Sequence, residues 1–198
     1  MLRKSLSERQ LLVIELFIIV FFCFVPLAFN NPYRINIFLS WEGAYRMYLG
    51  QMPFRLDLRP LGGHQAGPAI ILVHGTPTLN TLYWTEDRSD TFCLNMAEKA
   101  GAKAGDVICF GHTHKPWRRE IEGIHFVNTG SVGRPKDGDW RAGYLVLDLT
   151  GQEPTVEFVR VEYDIERVME EICRSALPDD FAEYLRCGGK PGAAGARS

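Results

Sequence analysis

The sequence predicts an α/β domain with a membrane-type segment in front of it. From residue 69 onward, short apolar runs that each end near a glycine alternate with helical patterns. Near the N-terminus stands a run of 19 apolar residues that carries one charge, Glu15. A stretch rich in glycine and proline separates these two parts. We therefore expect a layered sheet flanked by helices and preceded by a transmembrane helix.

Residues 11–29, LLVIELFIIVFFCFVPLAF, predict a membrane anchor. A helix of this length reaches about 28 Å, close to the roughly 30 Å hydrocarbon core of a bilayer. No small-residue cleavage site follows, which favours an uncleaved anchor over a signal peptide. A buried core helix is the alternative. We assign residues 1–30 to a single-pass anchor; basic residues on both sides leave its orientation open.

Residues 31–68 are interpreted as a loop and linker, since they are rich in proline, glycine and aromatic residues and end in LGGHQAGP. The folded domain is then expected over residues 69–189, with a disordered tail at 190–198. Within the domain we predict the strands 69–73, 106–110, 124–127, 142–149 and 155–163, and the helices 89–104, 164–175 and 178–187. The last strand alternates with period two, so one of its faces should meet solvent.

Composition excludes several functions. The net charge of −2 gives no electrostatic footprint for nucleic acid, so no nucleic-acid partner is expected. The five cysteines are scattered and form no C-x-x-C pair, which argues against a disulfide framework and a cysteine zinc site. An oligomer is compatible with the sequence.

Histidines cluster where predicted strands end. His74 follows the strand at 69–73, and His112 and His114 follow the strand at 106–110. Ligand sites in open α/β sheets form beyond the carboxyl ends of strands, and neutral imidazole suits Zn, Mn or Fe. His112 and His114 would project to the same side of an extended segment. Gly75 and Gly111 would let the backbone approach an ion or a phosphate.

Two alternatives accompany this interpretation. A single histidine after a strand is usually a satisfied surface or core residue, and we interpret His64 and His125 in that way. The stretch NTGSVGRPKDGD, which contains Asn128 and Ser131, has the composition of any tight turn, but its amides could also form an anion-binding nest.

The segments LVHGTP, FGHTHKPW and VNTGSVGRPKDGDWRAGYLVLDL, in this order, resemble the C-terminal half of calcineurin-like metallophosphoesterases, over residues 69–188. The small prokaryotic phosphodiesterase branch is the best match. The resemblance implies a β-sandwich flanked by helices and a two-metal site that hydrolyses a phosphate ester with a metal-activated water. It would place His74 and His112 on the second metal and His114 on the first. Asn128 and Ser131 would shape the adjoining loop.

The family's N-terminal motifs, Asp-x-His, Gly-Asp-x-x-Asp and Gly-Asn-His-Asp/Glu, do not occur in this sequence. We therefore assign no catalytic residue and expect an incomplete two-metal centre with Mn, Zn or Fe. The expected function is a metal-dependent phosphoesterase or phosphodiesterase, weak or inactive, acting on a small phosphate ester. A membrane-anchored, non-catalytic binding module and a fusion or fragment are the alternatives.

The fusion alternative rests on a second resemblance. Residues 11–60 resemble the first membrane helix and loop of polyprenyl-phosphate-sugar glycosyltransferases, whose catalytic base would correspond by position to Glu42. The later membrane helices of that family are absent from this sequence, so Glu42 is interpreted here as a solvated residue.

Overall fold

The computed structural model describes residues 51–59, 67–151 and 153–189. The predicted anchor at 11–29, Glu42 and the predicted tail at 190–198 lie outside these residues. Within the described ranges, no helix has the length and apolar character needed to cross a membrane.

A five-stranded sheet forms the centre of the described chain, with the strand order β1-β2-β3-β5-β4. Its strands are β1 (Arg55–Leu58), β2 (Ile70–Val73), β3 (Val107–Phe110), β4 (Trp117–Ile121) and β5 (Ile124–Asn128). β2, β3 and β5 are parallel, while β1 and β4 are antiparallel strands at the two sides. The three parallel strands therefore end at the same edge of the sheet, and the histidine-bearing loops begin there.

One face of this sheet is covered by α1 (Asp90–Ala100) and the loop before it. The helix begins at Ser89, whose side chain accepts a hydrogen bond from the Phe92 amide, and ends at Gly101 in the left-handed conformation. Trp84, fully buried in the preceding loop, stacks on Phe110 of β3 with 4.2 Å between ring centroids. These contacts make the larger of the two hydrophobic cores.

The opposite face is covered by a two-stranded antiparallel sheet, β6 (Ala142–Asp148) and β7 (Thr155–Val161). Leu145 of β6 packs with residues of β2, β3 and β5 in the second core. Two short helices, α2 (Ile165–Cys173) and α3 (Asp180–Arg186), follow and contact each other. The described chain is a mixed α/β fold, as the sequence predicted, and its two sheets lie in layers as the family resemblance implied, with two described strands in the second layer.

Two strands were not predicted from the sequence. β1 lies in the segment interpreted as loop and linker, and its pairing with β2 extends the sheet N-terminal of the expected boundary at residue 69. β4 pairs with β5 through a two-residue turn at Glu122 and Gly123, both at positive φ. This is the backbone pattern of a type I′ hairpin turn. Glu-Gly is not one of the dipeptides from which such a turn is usually predicted, so the hairpin was not expected.

Candidate metal centre at the ends of the parallel strands

His74 and His112 come together at the ends of neighbouring strands. β2 and β3 are parallel, and the Gly111 amide donates to the His74 carbonyl at 2.9 Å, which ties the two loops together. Nε2 of His74 then lies 3.0 Å from Nδ1 of His112, with the rings edge to face. The structure thus brings together the two histidines that the family resemblance would place on one ion.

The other ring nitrogen of His112, Nε2, is buried and has no hydrogen-bond partner in the described chain. If Nδ1–H of His112 donates to His74, the Nε2 lone pair is unmet; if His74 donates, the Nε2–H is unmet. Either tautomer leaves one buried polar atom unsatisfied, at a cost of about 1–3 kcal/mol. The Tyr83 ring lies next to this imidazole, 4.4 Å away between centroids.

His112 and His114 do not lie on an extended segment, contrary to the sequence-based expectation. Both have positive φ, 63° and 61°. Histidine adopts this left-handed region more readily than most residues, but it still costs on the order of 1–3 kcal/mol. The chain therefore turns at each histidine, so the two rings need not share a side. In the described ranges no group of three or more His, Cys, Asp or Glu side chains is close enough to hold a metal ion.

His114 is oriented by the backbone of a separate loop. Its Nδ1 lies 2.8 Å from the Arg134 carbonyl oxygen, which can only accept, so Nδ1 carries the proton and the Nε2 of the neutral ring carries the lone pair. A ring N–H donated to a backbone carbonyl is the usual support of a metal-binding histidine. The contact therefore suits a ligand that binds through Nε2.

Asn128 joins the two loops that follow β3 and β5. Its fully buried side chain donates to the Gly111 carbonyl at 3.1 Å and to the Thr113 hydroxyl at 2.9 Å. Its amide oxygen accepts from the Gly130 amide at 3.0 Å. Asn128 is thus the residue that fixes the backbone on either side of His112.

Gly75 and Gly111 lie in the loops that follow β2 and β3, and of the two only Gly75 has a backbone atom too close to admit a side chain. A Cβ on Gly75 would lie 2.4 Å from the carbonyl oxygen of Asn80, so the turn after β2 needs glycine there. At Gly111 a Cβ would meet only ordinary contacts, and its role is the amide that bonds His74. Contacts within the protein therefore account for both glycines without a bound phosphate.

The amides of the loop that contains Ser131 are already hydrogen-bonded, within the loop and to the loop after β3. The Ser131 hydroxyl accepts from the Arg134 amide at 3.0 Å, and the Thr129 and Lys136 amides donate to backbone carbonyls. With the Gly130 amide bonded to Asn128, four amides of the supposed nest already have acceptors. The tight-turn interpretation therefore explains this loop better than an anion-binding nest does.

The electrostatics of the site favour neutral imidazoles. Partial burial and then the nearby His112 lower the pKa of His74. Burial also lowers the pKa of His114, and the bond to Arg134 opposes this effect. Because the neutral ring is the form that binds a metal, both shifts extend metal binding toward lower pH.

The residues present fit a divalent ion in part. Zinc–nitrogen bonds of about 2.0–2.1 Å put two nitrogens on one tetrahedral ion roughly 3.3 Å apart, near the 3.0 Å observed here. His74 and His112 could thus hold one ion, and His114 is oriented as a ligand would be. No described carboxylate joins the pair, so the donor set is short of what a dinuclear centre needs.

Sequence reasoning overlooked the cations around His114. Lys115 follows it in the chain, and the Lys136 amide donates to the His114 carbonyl at 3.1 Å. Burial of the Lys136 ammonium, and then repulsion by Arg134 and Lys115, lower the pKa of Lys136. Both lysines stand inside the motifs singled out above, and a search of those motifs for charge would have found them.

Comparisons with known proteins agree with this architecture. An uncharacterized protein of Methanocaldococcus jannaschii is 36% identical over an aligned stretch of 99 residues, 42% of this chain and 40% of that protein. The match thus spans well under half of that relative. A metallophosphoesterase from Sphaerobacter thermophilus has a similar structure, with a TM-score of 0.58 at 22% identity, covering 84% of this chain and 72% of its own.

A hypothetical protein from Pyrococcus horikoshii is similar as well, with a TM-score of 0.61 at 20% identity over 83% of this chain and 64% of its own. At these identities the two structures show the fold. The family description "Calcineurin-like phosphoesterase superfamily domain" matches residues 53–152. The match starts before β1, inside the segment likened to a glycosyltransferase, and it includes every strand and loop of the histidine site. The chain belongs to the calcineurin-like phosphoesterase superfamily.

Proposed function

We propose that this chain carries part of a metal-dependent phosphoesterase site, in which His74 and His112 share one divalent ion and His114 serves a second. The observation that carries the proposal is the 3.0 Å approach of two imidazole nitrogens at the ends of parallel strands. It occurs in a chain of a phosphoesterase superfamily. The substrate class is a small phosphate ester, and Mn, Zn or Fe would suit the imidazole ligands.

When bound, the metal would polarise a phosphoryl oxygen and acidify a water molecule. The chain's own residues act around it. Asn128 holds the loop of His112 in place, and the Arg134 carbonyl keeps the proton of His114 on Nδ1. The Tyr83 ring contacts the His112 ring, with 4.4 Å between centroids.

The expected activity of the chain by itself is very low. Three imidazoles lack the negative charge that holds two dications close together, and the sequence contains none of the family's Asp-x-His, Gly-Asp-x-x-Asp or Gly-Asn-His-Asp/Glu motifs. Each 1.36 kcal/mol of lost transition-state stabilisation costs about tenfold in rate. A centre without its bridging carboxylate should therefore be slower by several factors of ten.

Two measurements on the full-length chain test the proposal. In calorimetric titration with Mn²⁺ or Zn²⁺, His112→Ala should weaken binding by about tenfold or more, since losing one ligand from an already short set is costly. His125→Ala, which removes a histidine within β5, is the matched control and should leave the affinity unchanged. Equal affinities for wild type and His112→Ala would reject the shared ion.

For turnover, hydrolysis of bis-p-nitrophenyl phosphate with Mn²⁺ should match that of a His74→Ala/His112→Ala/His114→Ala variant. Clear metal-dependent turnover that disappears in the triple variant would overturn the expectation of inactivity. It would also mean that carboxylates from another part of the chain reach the site.

A membrane-anchored, non-catalytic binding module is the second candidate, favoured by a histidine pair that persists without the family's carboxylate motifs. It includes the proposal that residues 11–29 anchor the chain in a membrane. Carbonate washing of membranes should leave the full-length protein in the pellet; release into the supernatant would reject the anchor. The likeness of residues 11–60 to a glycosyltransferase, and hence a fusion, remains part of this alternative.

A further inference from the structure

Arg134 joins the helix α3 to the candidate site. Its carbonyl oxygen accepts the Nδ1–H of His114 at 2.8 Å, and its amide donates to the Ser131 hydroxyl at 3.0 Å. Its guanidinium carbon lies 5.0 Å from the ring centroid of Phe181 and 5.6 Å from that of Tyr184, both in α3. The backbone of Arg134 thus contacts a predicted metal ligand, while its side chain contacts a helix near the end of the described chain.

The helix α3 is attached to the same loop at a second point. Ala182 and Leu185 of this helix are buried, so the helix is packed against the domain. Just after the helix, the Gly188 carbonyl accepts from the Gly138 amide at 2.9 Å. The loop between β5 and β6 therefore contacts this part of the chain through the side chain of Arg134 and through the backbone of Gly138.

The two aromatic rings are the contacts that the structure shows for the Arg134 guanidinium. No ion pair in the described ranges includes this residue. A guanidinium is planar, and aromatic faces attract it. Two rings of one helix therefore fix where the Arg134 side chain lies. A side chain fixed in this way limits how far its own backbone carbonyl can turn away from His114.

His114 depends on support from outside its own loop. Its φ is 61°, in the left-handed region, which a residue other than glycine keeps only where the surrounding structure holds it. The Lys136 amide, also in the loop between β5 and β6, donates to the His114 carbonyl at 3.1 Å. Both the ring and the backbone of His114 are thus bonded to the loop that α3 contacts. Without its carbonyl acceptor, the neutral ring would exchange its proton between Nδ1 and Nε2.

We propose that Arg134, Phe181 and Tyr184 are positioning residues for His114. The aromatic pair of α3 holds Arg134, and the Arg134 carbonyl keeps the Nε2 lone pair of His114 available to a metal. The inference rests on the proposed function, in which His114 serves a divalent ion. Because α3 lies outside residues 53–152, the site draws this support from beyond the region that matches the family. None of the three residues is assigned a contact with the ion or with the substrate.

The test uses the full-length chain with ¹⁵N-labelled histidines, without metal and at a pH where imidazole is neutral. The ¹⁵N shifts of the two ring nitrogens show which of them carries the proton, and a His114→Gln variant assigns the signals. Arg134→Met removes the cation and keeps an apolar side chain, while Arg134→Lys keeps a cation for the two rings. Arg186→Met is the matched control, since Arg186 is also in α3 but is exposed and pairs with Glu183.

Wild type and Arg186→Met should show His114 protonated at Nδ1 alone. Arg134→Met should show both tautomers, and Arg134→Lys should keep most of the Nδ1–H form. Added Mn²⁺ broadens the signals of the rings that bind it. The Mn²⁺ concentration that halves the His114 signal should rise by about tenfold in Arg134→Met, because the ligand has lost its supporting contact. The signals of His74 and His112 should respond as in wild type, since their ring contact does not involve Arg134.

A Phe181→Leu/Tyr184→Leu variant separates positioning from a folding defect of the Arg134 variant. It keeps apolar side chains in α3, leaves Arg134 in place and should reproduce the tautomer mixture of Arg134→Met. If either variant melted cooperatively and still showed the wild-type tautomer and Mn²⁺ response, the inference would be overturned. The same tautomer mixture in Arg186→Met would also overturn it, because any change in α3 would then suffice.

The proposed function can fail separately. Mn²⁺ that broadens no histidine signal of wild type would defeat the shared metal site. The metal-free comparison of tautomers would then still decide whether α3 positions His114 through Arg134.

Discussion

The two faces of the central sheet are held in different ways. On the α1 face, Phe110 and Phe126 are fully buried among aromatic and aliphatic side chains. On the other face, Leu147 and Val156 of the two-stranded sheet are half-buried, and Phe158 of β7 is 37% exposed. Hydrophobic burial is therefore more complete on the first face, and the second layer has another contribution besides its smaller core.

That other contribution is a polar network between β7 and the loop before β6. Arg160 of β7 pairs with Asp137 and donates to the Arg141 carbonyl at 3.2 Å. Asp139 in turn accepts from Arg141 and lies 3.8 Å from Arg160. The histidine site stands beside this loop, since His114 contacts the Arg134 carbonyl and the Lys136 amide, which come just before the residues of the network.

The largest effect should come from a matched pair of phenylalanines. Phe126→Ala should lower the free energy of unfolding by about 3–5 kcal/mol, because it leaves a cavity in a closed core. Phe158→Ala should cost under about 1 kcal/mol, since the ring already meets solvent. Urea denaturation of the full-length protein measures both. Similar losses at the two positions would show that β7 is covered by something outside the described residues.

The next effect tests whether the histidine loops belong to the first face. Asn128→Ala should cost about 2–3 kcal/mol, because Gly111, Thr113 and Gly130 each lose a buried partner. Asn80→Ala is the control, since the Asn80 side-chain oxygen has no partner to lose in the described chain. Equal melting curves for the two variants would mean that the strand-end loops move independently of the core.

The elements of the first face were predictable where their pattern is local. β3 is buried at all four positions, and its continuous apolar run predicts such a buried strand. β4 alternates between buried and exposed residues, so Trp117, Arg119 and Ile121 carry a period-two signal. That signal was overlooked because a charged stretch with an unusual Glu-Gly turn does not look like a hairpin.

The sequence allowed the residues of the candidate site to be predicted, but not their geometry. Chain order places His74 and His112 after neighbouring parallel strands, which is enough to bring them together. The left-handed turns at His112 and His114 are set by hydrogen bonds from distant loops, through Asn128 and Arg134. Such long-range contacts leave no periodic mark in the sequence, so the expectation of an extended H-x-H segment was wrong.

A smaller effect concerns the network of the second layer. Arg160→Ala should lower the free energy of unfolding by about 1–2 kcal/mol, because it leaves the largely buried Asp137 without its cation. Arg174→Ala removes an exposed helical ion pair with Glu170 and should cost at most a few tenths of a kcal/mol. If both variants unfolded at the same urea concentration, the network would not be what holds β7.

The smallest effect appears only in acid. Hydrogen bonds from Arg141 lower the pKa of Asp139 below its ordinary value of 3.8. The unfolded chain then binds a proton at a higher pH than the folded chain does, so the stabilisation is complete above pH 3.8 and is lost as the pH falls through the folded pKa. Asp139→Asn should flatten the decline in stability over this window while leaving the α1 face unchanged. Denaturation midpoints of wild type and Asp139→Asn are measured from pH 5 down to about pH 2.5. This range includes the pH at which an Asp with a lowered pKa takes up its proton. Parallel curves would show that the acid sensitivity of the protein comes from other carboxylates, such as Glu183 of α3, whose pKa is lowered by hydrogen bonds from Arg186 and Cys187.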